Sequence, residues 1–198
     1  LPLVWKELSS LSVQILRDQQ EFSNEPDILE KQLVDFLDQR ERWYLQEKGF
    51  RHDLIDALLK RTWGTPLNRL NFASTLSEDL NLPEFKKSVE AVVRAINITN
   101  KYPEESQAAK LEEGSLNHEA ELALYHTLEA MALDSESSPQ QYLKTLYQLE
   151  SSITAFFECV MVMDENPVLR SNRLALCNRL SQWSSKYLDL REIIFPGD

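Results

Sequence analysis

An all-α fold of about eight helices follows from three features of the sequence. Glycine stands at only four positions, Gly49, Gly64, Gly114 and Gly197, too few for the many tight turns of a strand-rich fold. No alternating apolar run is bounded by turn residues in the way a hairpin requires. Apolar residues recur instead three and four apart along most of the chain. With 42% hydrophobic residues over 198 positions, there is enough apolar surface for one domain or two small ones.

The elements follow in order. Residues 3 to about 19 predict a first helix, with Leu8, Leu11 and Ile15, and Val4 before them, on one face. Pro26-Asp27 opens a second, in which Leu29, Leu33, Phe36, Leu37 and Tyr44 recur at helical spacing, and Gly49 after Lys48 is its stop. A third carries Leu54, Ile55, Leu58 and Leu59 and ends near Trp63-Gly64-Thr65-Pro66, where a fourth begins and runs to Leu80. Pro83 is a first-turn proline for the fifth, whose apolar face is Phe85, Val89, Val92, Val93 and Ile96. Pro103 stops it, and the polar residues 102–114 read as a mobile surface loop. The sixth helix, about 116–132, buries Ala120, Ala123, Leu124, Leu128 and Met131. After a break at 134–139 the seventh runs to about 162 with Tyr142, Leu146, Leu149, Ile153, Phe156, Phe157 and Val160 inward. The eighth covers about 166–189, with Leu169, Leu176, Leu180 and Tyr187 inward, before Ile193, Ile194 and Phe195 close the chain. No internal repeat marks a solenoid.

Several functions are disfavoured. No run of about 18 apolar residues would span a membrane. The N-terminus lacks the pattern of a signal peptide. Leu1 stands where an initiator methionine would, so the sequence is expected to be a piece of a larger protein. Cys159 and Cys177 sit in apolar helical context and read as two small buried residues of a reducing compartment. With His52, His118 and His126 they show no zinc spacing, and His52-Asp53 has no companion ligands, so no metal is expected. No nucleophile stands with a base, and no glycine-rich phosphate loop occurs, so no catalytic residue is assigned.

The charge is uneven. The net value of −11 disfavours a sequence-independent nucleic-acid binder. Residues 101–164 hold 12 acidic and 3 basic residues, whereas 40–70 hold 7 basic and 4 acidic, and 165–198 hold 5 basic and 4 acidic. An anionic partner would have to find one of the last two windows. In AFFECVMVMDENPVLRSNRLALCNRL, residues 155–180, an apolar block and an acidic hinge precede a helix bearing Arg170, Asn172, Arg173 and Arg179. Guanidinium groups fork to phosphate or stack on bases, and Trp183 and Tyr187 further along would add stacking surface. Equally, Arg170 would pair with Asp164 or Glu165, Arg173 with Asp164, and Trp183 would belong to the core. Spacing alone leaves both readings open.

The same stretch carries a resemblance. Phe156-Phe157-x-x-Val160-Met161-Val162-Met163-Asp164, then Leu169-Arg170-x-Asn172-Arg173-Leu174-Ala175-Leu176, resembles the C-terminal end of the β subunit of bacterial-type glycyl-tRNA synthetase. In that family an F-F-D-x-V-M-V-M segment precedes an L-R-x-N-R-L-x-L-L helix. Leu33-Val34-Asp35-Phe36-Leu37 with Arg42, Tyr44 and Gly49-Phe50 is similar to the family's helical body, and Arg94-x-x-Asn97-Ile98 to its K-R-V-x-N-I helix, so the likeness spans most of residues 26–194. Glu158, Cys177, Ala95 and Ile96 depart from the pattern.

The resemblance implies a helical body over 1–82 and, over 83–198, an anticodon-binding helical domain similar to that of arginyl-tRNA synthetases. It implies that the parent enzyme is a glycine-tRNA ligase, and that this non-catalytic end of β reads the anticodon of tRNA-Gly. The α subunit would hold ATP and Mg and perform the chemistry, with the rest of β completing a heterotetramer in the bacterial cytoplasm; a plastid or other organelle enzyme of bacterial type carries the same pattern. The matched polar positions Arg94, Asn97, Arg170, Asn172 and Arg173 are the implied tRNA-binding set. Two alternatives stand beside this: a helical protein-interaction module that binds no RNA, and the C-terminal domain of an arginyl-tRNA synthetase.

Overall fold

Prolines punctuate the helices. In the computed structural model, which describes residues 5–18, 26–61, 63–131 and 137–195, six of nine α-helices begin at one: Pro26, Pro66, Pro83, Pro103, Pro139 and Pro167. A first-turn proline gives up no hydrogen bond, because the amides there have no intrahelical acceptor, and its fixed φ already suits the helix. The helices are α1 (Trp5–Asp18), α2 (Pro26–Glu47), α3 (His52–Leu59), α4 (Pro66–Asp79), α5 (Pro83–Lys101), α6 (Pro103–Ala108), α7 (Glu119–Ala130), α8 (Pro139–Cys159) and α9 (Pro167–Ser184). Short 3-10 turns lie at Glu113–Ser115 and Leu190–Glu192. There is no strand among the described residues, and no described helix is long and apolar enough to cross a membrane. The expected position of Val4, the first helix's end at residue 19 and the first half of the break at 134–139 lie outside the described residues.

The chain divides into two compact units. The first comprises Leu1–Ser77 and the returning segment Tyr187–Ile193. Its core holds Leu45, Leu54, Ile55, Leu58 and Leu76, with Trp63 set edge-on to Phe72 and to Tyr187, both at 4.9 Å between centroids. The returning strand of chain is held by the Asp189 amide, which donates to the Ala57 carbonyl at 2.8 Å. Arg69 and Glu41 form an ion pair in this unit with both side chains buried. Arg69 donates to both Glu41 oxygens, at 2.7 and 2.5 Å, and to the Trp63 carbonyl at 2.7 Å, while the Trp5 indole donates to Glu41 at 2.7 Å. A buried pair survives when its remaining hydrogen-bonding capacity is filled in this way. Gly49 has φ +85°, the left-handed conformation that closes a helix, and its amide reaches the Gln46 carbonyl at 2.9 Å.

The second unit comprises Glu78–Lys186 and Ile194–Asp198. Here α5 packs against α8 and α9, α7 against α8, and the short α6 against α9. Phe85, Val89, Val92, Ile96, Leu124, Leu128, Leu146, Leu149, Ile153, Phe156, Leu176 and Leu180 fill the core, as their spacing predicts. Tyr142 and Trp183 stack at 5.0 Å, with the Tyr142 hydroxyl donating to the Ser184 carbonyl at 3.2 Å.

Five features differ from the sequence expectation. Leu11, Ile15, Phe36 and Tyr44 are exposed, and α1 buries Ser9 and Val13 instead; a small side chain there lets α1 lie close to α2. Ala123 is exposed because α7 buries the i, i+4 row Ala120–Leu124–Leu128. The expected loop 102–114 contains α6 and a 3-10 turn, since Pro103 stops one helix and starts another. The seventh expected helix ends at Cys159 and the eighth at Ser184, five residues short of the expected limit. Finally, Cys159 is exposed and only Cys177 is buried.

Candidate nucleic-acid interface

The arginine-bearing helix α9 starts with Asn166, whose side chain accepts from the Val168 amide at 2.9 Å. From there its polar residues face the acidic segment that precedes it. Arg173 is buried; its guanidinium pairs with Glu121 through Nε and with Asp164 at 2.7 Å through Nη1, which also donates to the Met161 carbonyl at 2.8 Å. Glu121 itself is buried at the start of α7, where it accepts from the Asn117 and His118 amides at 2.7 and 3.0 Å. Burial pushes the Glu121 carboxyl up, but the hydrogen bonds from the His118 amide, Arg173 and the Asn117 amide outweigh it and hold the group below the usual carboxylate range. The Asn166 amide and Arg173 likewise hold Asp164 down.

The rest of α9 staples the segment after α5. Arg170 pairs with Glu105 at 3.2 Å and donates to the Asp164 carbonyl at 3.3 Å. The Glu112 amide donates to the buried Asn172 side chain at 2.6 Å, and Asn172 donates on to the Val168 carbonyl at 3.1 Å. Ser171 accepts from the Lys110 amide at 3.3 Å and Asn178 donates to the Ser106 carbonyl at 3.0 Å. Arg179 pairs with Glu129. Residues 103–112 are therefore pinned, where the sequence reading expects a mobile loop. Each arginine of α9 has a carboxylate from the acidic window, so the helix that looks basic in sequence is neutralised where it sits. Trp183 and Tyr187, candidates for stacking on bases, are both core residues.

Arg94 and Asn97 lie elsewhere, on the exposed side of α5. The Arg94 guanidinium has no carboxylate partner among the described residues and rests 4.6 Å from the centroid of the Phe157 ring of α8. Lys87 and Lys101 stand seven residues before and after Arg94. Two helical turns of about 3.6 residues each leave all three within roughly 40° of one another, about 10 Å apart along the axis. Lys87 is exposed and lines a cleft with Tyr147, and Lys101 lies 5.5 Å from the centroid of Tyr102. The structure thus places the five expected residues in two groups: Arg170, Asn172 and Arg173 along α9, and Arg94 and Asn97 on α5. Sequence reasoning passes over Lys87 and Lys101 and assigns Phe157, which is half-buried, to the core, although the seven-residue spacing of the cations was a usable signal. The described residues hold no group of three or more His, Cys, Asp or Glu side chains that would bind a metal.

This unit coincides with a known class of module. Residues 89–196 match the DALR anticodon binding domain, and the chain belongs to that family. Over a longer stretch it is similar to glycine–tRNA ligase beta subunits. It is 34% identical to that of Oceanobacillus iheyensis over 176 residues, covering 84% of this chain and 25% of the relative. Against the Bacillus subtilis subunit the identity is 31% over 168 residues, covering 83% and 24%. Against a Listeria monocytogenes subunit it is 29% over 164 residues, covering 82% and 23%. The chain spans about a quarter of the length of these relatives.

Proposed function

We propose that this chain is the tRNA-binding end of a glycine–tRNA ligase β subunit and that its second unit engages the anticodon loop of tRNA-Gly. The observation that carries the reading is the match of residues 89–196 to an anticodon-binding family, on a unit whose α5 presents Arg94 outward with no carboxylate partner among the described residues. In this reading Arg94 and Asn97 meet the loop directly. Arg170, half-buried and paired with Glu105, lies at the edge of the contact. Asn172 and Arg173 act from within, Asn172 holding Glu112 and Arg173 holding Met161 and Asp164 in place. Aminoacylation, with ATP and Mg, takes place in the α subunit of a cytoplasmic assembly that also contains the rest of β.

The chemistry of α5 suits single-stranded RNA. Loop bases stack on aromatic and guanidinium planes, while phosphate contacts set the register without reading sequence. A net charge of −11 keeps the non-specific electrostatic term small, so binding depends on a few placed cations. Gel-shift titration of the chain with tRNA-Gly and with a tRNA of different anticodon, at one salt concentration, tests the proposal. Tighter binding of tRNA-Gly is expected; equal binding of both refutes anticodon recognition, and no binding of either supports a protein-interaction role.

A further inference from the structure

Helix α2 is apolar on two sides, and only one of them is covered. Leu45 belongs to the core of the first unit, and Glu41 is buried on the same side in its pair with Arg69. On the other side Phe36, Trp43 and Tyr44 are 50%, 57% and 43% exposed. At about 100° per residue Leu45 stands opposite Phe36, while Trp43, Phe36, Arg40 and Tyr44 fall within an arc of about 100°. An apolar arc of that width is the stripe with which a helix meets a core. The cations along it rest on rings: Arg40 lies 5.1 Å from the centroid of Phe36, and Lys48 5.4 Å from that of Tyr44. Neither has a carboxylate partner among the described residues. The other cations of the 40–70 window, Arg42, Arg51, Lys60, Arg61 and Arg69, all have one.

We propose that this outer face of α2 is where the remainder of the longer subunit docks, through an apolar patch with a carboxylate at its rim. The inference rests on the reading above of the chain as the end of a β subunit, and it names the surface that joins this end to the rest. The chain spans about a quarter of the length of its relatives, so about three quarters of such a subunit lies outside it. Tryptophan, tyrosine and arginine are the residues that dominate interface energetics. The size of the face selects among protein occupants. A buried aromatic side chain covers about 150–250 Å², so three at half exposure offer roughly 300 Å². A free partner needs about 800 Å² on each side, and this stripe alone would not hold a second copy or a separate protein. A segment of the same chain is kept near at an effective concentration of order mM by a short flexible linker, and a small anchored patch then suffices. RNA is a poorer match. α2 carries six acidic residues against three basic ones, and Glu47 falls inside the exposed arc.

Hydroxyl-radical footprinting read by mass spectrometry tests the proposal, with the buried Trp183 as an internal standard beside Trp43. In the 198-residue chain Trp43 should be oxidised strongly and Trp183 little. In the complete β subunit to which the reading assigns this chain, oxidation of Trp43 should fall to the level of Trp183. Phe36→Ser with Trp43→Ser should leave the melting temperature of the 198-residue chain unchanged and lower that of the complete subunit. Equal oxidation of Trp43 in both proteins would overturn the docking surface. Protection that appears in the short chain as its concentration rises would assign the face to a second copy, and protection that appears only when tRNA-Gly is added would assign it to RNA; either result overturns the proposal. The tRNA-binding reading is scored separately by the gel shift: tRNA-Gly binding with Trp43 unprotected in the complete subunit overturns the docking surface alone, and protected Trp43 without tRNA-Gly binding supports the docking surface and overturns the tRNA reading.

Discussion

Replacing Arg173 by methionine separates a structural arginine from an RNA contact. Arg173 and Glu121 are both buried, and Glu121 has no other charged partner within hydrogen-bonding distance among the described residues. Methionine retains much of the side-chain volume and removes the guanidinium. The carboxylate of Glu121 then keeps two amide donors but loses its counter-charge, and the Met161 carbonyl loses a donor. Breaking a buried pair by removing one partner costs about 3–5 kcal/mol. For a chain of this length, each kcal/mol moves Tm by roughly 2–4 °C, so a fall of about 6–20 °C is expected. Calorimetry of the wild type, Arg173→Met, Glu121→Gln and the double variant provides the assay. The double variant should recover a large part of the loss, because both charges are then gone. An Arg173→Met protein that melts as the wild type and binds tRNA more weakly would refute the structural assignment and make Arg173 an RNA contact.

Further predictions follow from the same geometry. The folded-state carboxyls of Glu121 and Asp189 lie below their ordinary range: burial opposes this in both, and hydrogen bonds from His118 and Arg173 to Glu121, and from Arg191 to Asp189, prevail. A depressed folded value adds stability that is complete above the unfolded pKa, about 4, and is lost as pH falls through the folded value. Melting temperature should therefore hold steady near neutrality and fall on the acid side, and Glu121→Gln with Asp189→Asn should flatten that fall; an unchanged acid limb would contradict the assignment. A thiol reagent should modify Cys159 in the native protein and Cys177 only after unfolding, since Cys177 is buried and burial pushes its thiol up to about 12. Modification of both at equal rates would be incompatible with that packing. Gly49→Ala should cost about 1–2 kcal/mol in denaturant unfolding, because φ is +85° and no steric contact adds to the strain; no loss would mean that the turn relaxes freely.

What the sequence made legible was local. Phe85, Val92, Leu146, Ile153 and Leu180 follow a 3.6-residue period, and that period suffices to bury them. Prolines at the first turn and Gly49 at a helix end announce boundaries through their own backbone limits. Partners distant in sequence leave no such trace. Nothing near Arg69 points to Glu41, and nothing near Asp189 points to Ala57. The same blindness governs the candidate site. The arginines of α9 stand out in sequence as a basic cluster, yet Glu105, Glu121, Glu129 and Asp164, most of them far away in sequence, neutralise them in the fold. Arg94 stands out in sequence only through the family resemblance, and its charge is left to solvent and the Phe157 ring, with no carboxylate partner among the described residues. The misplaced face of α1 has a related cause: the face buried in the fold includes Ser9, which no hydrophobic pattern selects.

In the proposed reading Arg94 of α5 meets tRNA directly, whereas Arg173 of α9, buried between Glu121 and Asp164, serves the fold. The most direct measurement is the salt dependence of tRNA-Gly binding by the wild type, Arg94→Ala and Arg173→Met, taken at a temperature where all three are folded. Arg94→Ala should weaken binding and lower the slope of log K against log salt by about 0.7–0.9, the loss of one phosphate contact, while Arg173→Met leaves the slope unchanged. An unchanged slope for Arg94→Ala with a reduced slope for Arg173→Met would contradict the account.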